Sequence, residues 1–195
     1  MKWKREIKHS LEPVKRDIER FVKFVESLPA FTRPIAKRYF RGFSEVEDKP
    51  DSSPVTIADK LIEKKIRNLL KSEFPSHSIF GEEYGGRLGD ELGWCIDPID
   101  GTRAFIAGKP TFGTLVALCN DGVPLLGLID MPCLDETYIG YFDLKQKLSY
   151  VTLNGNKISA SKKFDLSNAL IATSSPAAFT SRGFQKFQKI SKKCK

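Results

Sequence analysis

Histidine is nearly absent: His9 and His77 are the only two imidazoles in 195 residues. That scarcity excludes an H-E-x-x-H zinc site and leaves only those two side chains as the base of a Ser–His pair. The four cysteines, Cys95, Cys119, Cys133 and Cys194, stand at wide, irregular spacings without a C-x-x-C pair. They read as reduced thiols and not as a disulfide framework. Long apolar runs are missing too. An uncharged stretch such as Pro110–Asn120 falls well short of the ~20 apolar residues a membrane helix needs. The opening Met1-Lys2-Trp3-Lys4-Arg5-Glu6 lacks the apolar centre of a secretory signal. The expectation is a cytoplasmic chain with no membrane partner. Its chemistry must come mostly from carboxylates, hydroxyls and backbone groups.

What is present is an ordinary globular mixture, 41% hydrophobic and 29% charged, long enough for one full-sized domain. The net charge of +8 is unevenly spread. Residues 1–41 carry 12 basic and 5 acidic groups, and residues 144–195 carry 11 and 1. Residues 91–143 reverse the balance, with 2 basic and 8 acidic groups. Basic ends can mark a nucleic-acid surface, but no DNA or RNA motif accompanies them, so no nucleic-acid partner is expected. Crowded carboxylates in the acidic middle repel one another, and a bound cation is one way to offset that repulsion.

Apolar periodicity predicts an amphipathic helix over Leu11–Leu28 and a second, short one over Ile35–Phe40, punctuated by Pro29 and Pro34. A third helix is predicted over Ile57–Glu73, with Pro75 beyond its end. A brief strand is expected near Phe43–Glu47, and another over Ser78–Gly81. Trp94-Cys95-Ile96 reads as a buried strand ending at Asp97, followed by a helical turn over Arg103–Ala107. A meander then follows over Phe112–Cys119, Pro124–Asp130, Thr137–Phe142 and Lys147–Leu153. Its hairpin signals are Asp121-Gly122 and Asn154-Gly155. One more strand is expected over Ala169–Thr173, and a basic helix from about Ser181. Helices, then mainly antiparallel strands, then a helix make an α+β layered fold.

Asp97-Pro98-Ile99-Asp100-Gly101-Thr102 is the most informative stretch. Two carboxylates three residues apart, at the end of a buried strand and stiffened by proline, can converge on one point. Oxygen ligands of this kind suit Mg²⁺, which binds through few carboxylates and keeps waters and phosphate oxygens. Gly101 permits a sharp turn, and backbone N–H groups at a helix starting near Thr102 would face an anion. Glu82 and Glu83, after Gly81, could add a further carboxylate. By themselves Asp97 and Asp100 could equally just cap a turn, and Asp59 could simply be a helix cap.

The ordered set Thr56-Ile57-Ala58-Asp59, Gly81-Glu82-Glu83 and Trp94-Cys95-Ile96-Asp97-Pro98-Ile99-Asp100-Gly101-Thr102 resembles the inositol-monophosphatase family. The segments Glu47–Thr56 and Arg103–Leu115 are most similar to its histidinol-phosphatase branch. The resemblance runs from the first helix to Ser175-Pro176. It implies a single domain over 1–195 with a layered αβαβα sugar-phosphatase-type fold, and a magnesium-dependent phosphomonoesterase that needs no covalent intermediate. On this resemblance Glu82, Asp97, Asp100 and the Ile99 carbonyl would ligate Mg²⁺. Thr102, hydrogen-bonded to Asp59, would orient the attacking water. Asp100 and the N–H groups of Gly101 and Thr102 would hold the substrate, and Lys49 would sit on a mobile loop. The implied substrate is a small phosphomonoester. Histidinol phosphate is preferred, with inositol 1-phosphate or a nucleotide 3′-phosphate as the alternative. Family members commonly form homodimers.

Members of this family also carry a later aspartate motif, often Trp-Asp. Here the tryptophans are Trp3 and Trp94, and the only acid after Asp143 is Asp165. The expectation is a domain missing its C-terminal portion, with a weakened second metal site. A catalytically weak remnant is then the competing reading.

Overall fold

A computed structural model describes residues 12–42, 46–48, 54–89, 91–143, 148–162, 165–173 and 175–195. The chain divides into two compact units, one ending at Ile158 and the other spanning Ser159–Lys195. None of the described helices is long and apolar enough to cross a membrane.

The first unit begins with α1 (Glu12–Ser27) and α2 (Pro29–Tyr39). Proline at the first position of α2 is favourable, because its missing N–H would have no partner there anyway. The helix also carries Pro34 inside it, so the short second helix is longer than its predicted start at Ile35. A small antiparallel pair, β1 (Val46–Asp48) and β2 (Pro54–Thr56), leads into α3. That helix spans Ile57–Glu73, the range its apolar spacing predicts. The strand expected near Phe43–Glu47 lies partly outside the described residues, as does Lys49.

The remaining strands form one sheet: β3 (Ser78–Gly81), β4 (Gly85–Gly86), β5 (Leu92–Asp100), β6 (Gly113–Asn120), β7 (Val123–Met131), β8 (Glu136–Asp143), β9 (Leu148–Leu153) and β10 (Asn156–Lys157). Their spatial order is β10-β9-β8-β7-β6-β5-β3-β4. Every pairing is antiparallel except β3 with β5, which is parallel. Both predicted hairpin turns occur. Asp121 and Gly122, like Asn154 and Gly155, have positive φ at both central positions, as a two-residue hairpin matching the twist of its strands requires.

Register explains the core. Trp94, Leu118, Leu126 and Tyr141 form one cross-strand row, and Ile96, Val116, Leu128 and Ile139 form the next. With a period of two, both rows share one face. Phe21, Phe24 and Val25 of α1, Leu28 between α1 and α2, and Ala58, Ile62, Ile66 and Leu70 of α3 bury against it in a single cluster. Phe24 and Trp94 pack with ring centroids 5.4 Å apart. A second anchor is polar. Asp130 of β7, wholly buried, receives Arg33 Nη2 of α2 at 2.8 Å and Thr137 Oγ1 of β8 at 2.8 Å.

In the second unit, 3₁₀ turns at Leu166–Asn168 and Pro176–Ala178 precede α5 (Ser181–Ser191). Thr180 Oγ1 caps that helix by accepting from Gly183 N at 3.1 Å. The strand expected over Ala169–Thr173 is irregular chain instead. No described strand of this unit is available to pair with it, and Leu170 is left 86% exposed.

Candidate active site

Three segments converge because of how α3, β3 and β5 connect. The first turns of α3 lie beside these strand ends: the Asp59 charge acts on Asp97, and Glu63 accepts from Glu83 N and Tyr84 N just after β3. The parallel β3–β5 pairing sets Gly81 beside Ile96, and Glu82 N donates to the Ile96 carbonyl at 3.1 Å. Glu82, just past the end of β3, and Asp97, within β5, therefore stand side by side.

Along β5 the alternation is interrupted. Asp97 pairs with Leu115 and Asp100 with Gly113, so three steps on one strand match two on the other. In a regular strand, residues three apart face opposite sides. The extra residue of this bulge restores Asp100 to the side of Asp97. Pro98 lies within the bulge, where it does not have to donate to a ladder. Its carbonyl accepts from the buried Thr114 Oγ1 at 2.9 Å. The strand consequently continues to Asp100 instead of stopping at Asp97.

Asp97 carries the clearest electrostatic signature. Its Oδ1 is buried and has no hydrogen-bond partner. Burial first, then the Glu82 charge, a hydrogen bond with the Glu82 carboxyl, and the charges of Asp100 and Asp59 push its pKa up to about 8. Every one of these named charges is negative. A carboxylate oxygen left without a donor among like charges is costly unless a cation completes it. Among the described residues, no three His, Cys, Asp or Glu side chains are gathered into a ready-made metal cage. The arrangement is a close pair, Asp97 with Glu82, flanked by Asp59 and Asp100. A pair fits Mg²⁺, which typically uses one or two carboxylates plus waters and phosphate oxygens.

The surrounding groups are fixed by short local bonds. Asp59, buried in the first turn of α3, accepts from Thr56 N at 2.8 Å and Thr56 Oγ1 at 2.6 Å through Oδ2. It therefore does act as a helix-start partner. Gly101 takes φ +87°, and the Thr111 carbonyl would lie 3.1 Å from any Cβ placed there. It precedes the short helix α4 (Thr102–Ile106). Thr102 Oγ1 donates to the Ile99 carbonyl at 3.0 Å. Its one proton is thus directed at Ile99, whereas the resemblance led us to expect a bond with Asp59. Glu82, Asp97, Asp100 and Asp59 are brought together. Ile99, Gly101 and Thr102 adjoin them through the chain, and Lys49 is outside the described residues.

Sequence reading missed Glu63 and Arg67. Glu63 is fully buried, and its carboxylate accepts from Glu83 N at 2.7 Å, Tyr84 N at 3.2 Å and Arg67 Nε at 2.7 Å. Arg67 Nη2 also donates to the Gly85 carbonyl. The available signal was position: Asp59, Glu63 and Arg67 recur every four residues on α3, and Asp59 and Glu63 each directly follow a buried apolar residue, Ala58 and Ile62.

Comparisons with known proteins find relatives of one family. The chain is 40% identical over 182 residues to a bifunctional phosphatase, IMPL2, of Arabidopsis thaliana, covering 92% of this chain and 51% of that protein. It is 32% identical over 146 residues to the histidinol-phosphatase of Mycobacterium tuberculosis, covering 72% and 54%. The chain thus spans about half the length of these curated relatives. Among solved structures, an inositol monophosphatase from Zymomonas mobilis superposes with a TM-score of 0.75 at 39% identity, covering 90% of this chain and 66% of that one. The profile of the inositol monophosphatase family matches residues 17–193, and the chain belongs to that family.

Proposed function

We propose that the protein is a magnesium-dependent phosphomonoesterase whose preferred substrate is histidinol phosphate. The observation that carries this reading is the buried, partnerless Oδ1 of Asp97 among other carboxyls. Glu82, Asp97, Asp100 and the Ile99 carbonyl would hold the cation. A bound Mg²⁺ supplies Lewis acidity and makes a water nucleophilic at neutral pH.

The chain's own groups do the rest. With its proton on Ile99 O, the Thr102 hydroxyl keeps its lone pairs free to accept from a water and orient it. Asp59 stands in the same carboxyl group and is the proposed partner in directing that water. The N–H groups of Gly101 and Thr102 precede the first bonds of α4, which Ala104 N and Phe105 N make to the Gly101 carbonyl, and they suit phosphate oxygens. The substrate preference is supported by the resemblance of Arg103–Leu115 to the histidinol-phosphatase branch and by a relative of that name. Inositol 1-phosphate is the alternative, supported by the inositol monophosphatase 1 of Solanum lycopersicum, 34% identical over 144 residues.

Calorimetric Mg²⁺ titration and phosphate release, on the chain and its Asp97→Asn variant, test this. Expected are a binding heat lost in the variant and release that favours histidinol phosphate over inositol 1-phosphate and a 3′-nucleotide. A heat unaltered by the substitution would sink the reading. Heat without any turnover would select the alternative, a catalytically weak cation-binding unit.

A further inference from the structure

We infer that Glu63, steadied by Arg67, is the positioning residue that sets where the Glu82 carboxylate stands. The inference rests on the cation-binding reading above and extends it to residues which that reading does not use. Glu63 acts on both sides of Glu82. On one side a Cβ at Gly81 would overlap the Glu63 carboxylate and crowd Arg67 Nη2, so the chain passes directly over the carboxylate there. On the other side Glu63 Oε2 accepts from Glu83 N at 2.7 Å and Oε1 from Tyr84 N at 3.2 Å. Glu82's own N–H is held by the Ile96 carbonyl. The backbone at 81–84 is thereby fixed from α3 and from β5 together, and Glu82 retains only its side-chain torsions.

Arg67 makes the device rigid. Its Nε donates to Glu63 Oε1 at 2.7 Å while Nη2 donates to the Gly85 carbonyl, closing a ring from helix to turn. The pairing also answers why a wholly buried carboxylate lies so close to an acidic site. Three N–H donors, one of them cationic, satisfy Glu63, so it does not compete with Asp97 for a cation. Groups that orient a ligating carboxylate commonly matter for metal affinity almost as much as the ligand itself.

The test couples Mg²⁺ calorimetry to amide hydrogen exchange. In the unmodified chain, the amides of Glu83 and Tyr84 should be protected. Exchange at the unfolded rate would overturn the inference without any variant. In Glu63→Gln, an amide N–H₂ must face one of the donors that the carboxylate accepts. Protection at those two amides should fall, and the Mg²⁺ dissociation constant should rise roughly tenfold or more. Arg33→Met is the comparator: it should lower thermal stability but leave the dissociation constant unchanged, so a purely structural role for Glu63 would leave the constant unchanged too. If Glu63→Gln does not fold, Arg67→Gln should shift both readouts in the same direction. Equal Mg²⁺ affinity in the variants and the unmodified chain would overturn the inference and leave the site reading intact. Absence of any Mg²⁺ heat in the unmodified chain would remove the site reading itself.

Discussion

Asp130 and Asp97 are carboxylates on neighbouring parts of one sheet, and both have oxygen buried from water, but their surroundings are opposite. Asp130 is held by the Arg33 guanidinium through three contacts of 2.8–3.1 Å and by the Thr137 hydroxyl. Asp97 faces Glu82, Asp100 and Asp59, and one of its oxygens has no partner. The first is a finished interaction that ties α2 to the sheet. The second is left with an unsatisfied oxygen among like charges, so its ionised form is costly, and a proton or a bound cation would relieve that cost. Burial of a carboxylate alone does not distinguish structure from function. The sign and number of its neighbours do.

The sharpest way to break this contrast is Arg33→Met. It would strand Asp130 without its cation, and loss of one partner of a buried pair costs about 3–5 kcal/mol. Urea unfolding should show that loss as a lower midpoint with an unchanged slope. At the other carboxylate the sign should invert. Asp97→Asn removes like-charge repulsion, so in EDTA the variant should be more stable than the unmodified chain by roughly 1 kcal/mol, the scale on which relieving a functional site stabilises a fold. Adding Mg²⁺ should raise the melting temperature of the unmodified chain and leave the variant's unmoved. Thr137→Val deletes one of the donors to Asp130 while Arg33 remains, and should cost about 1 kcal/mol by thermal melting.

The smallest effect should come from a half-buried group of a third kind, neutral and accepting. His77 Nδ1 accepts from Trp94 Nε1 at 3.0 Å, which requires that nitrogen to be unprotonated. Burial, and then the Arg20 charge, holds His77 below its usual 6.5. The native state therefore binds its proton less readily than the unfolded chain. Its contribution is complete above about pH 6.5 and drains away as pH falls from there toward the lowered native value. His77→Gln keeps an acceptor for the indole without titrating. Its stability should lose this dependence between pH 7 and 5, measured by denaturant midpoints.

Local signals predicted the elements they govern. α3 follows from Ala58, Ile62, Ile66 and Leu70 at helical spacing and from Pro75 beyond its end, and the two hairpins follow from Asp121-Gly122 and Asn154-Gly155. The convergence of Asp59, Glu82, Asp97 and Asp100 was legible only as ordered motifs, because no periodicity specifies which strands will pair. The bulge was hidden for the same reason. Pro98 signals a strand end locally, and only the Leu115 and Gly113 partners show that pairing resumes at Asp100. Glu63 shows in the side-chain pattern only through its pairing with Arg67 four residues on, because its other two partners are backbone N–H groups 20 and 21 residues downstream. The apolar run Ala169–Thr173 misled because β-propensity is expressed only where a neighbouring strand offers a ladder.

The slipped pairing between Asp97 and Asp100 makes three steps along β5 count as two, an even number. Deleting Ile99 would return the strand to strict alternation with Asp100 still on the side of Asp97, but it would remove the carbonyl to which Thr102 Oγ1 donates. Replacing Ile99 by alanine keeps the count, and with it the direction of both carboxylates. Any attempt to transplant the Asp97–Thr102 hexapeptide into another sheet must therefore bring Thr114 along, since its hydroxyl grips the loop where the extra residue is accommodated.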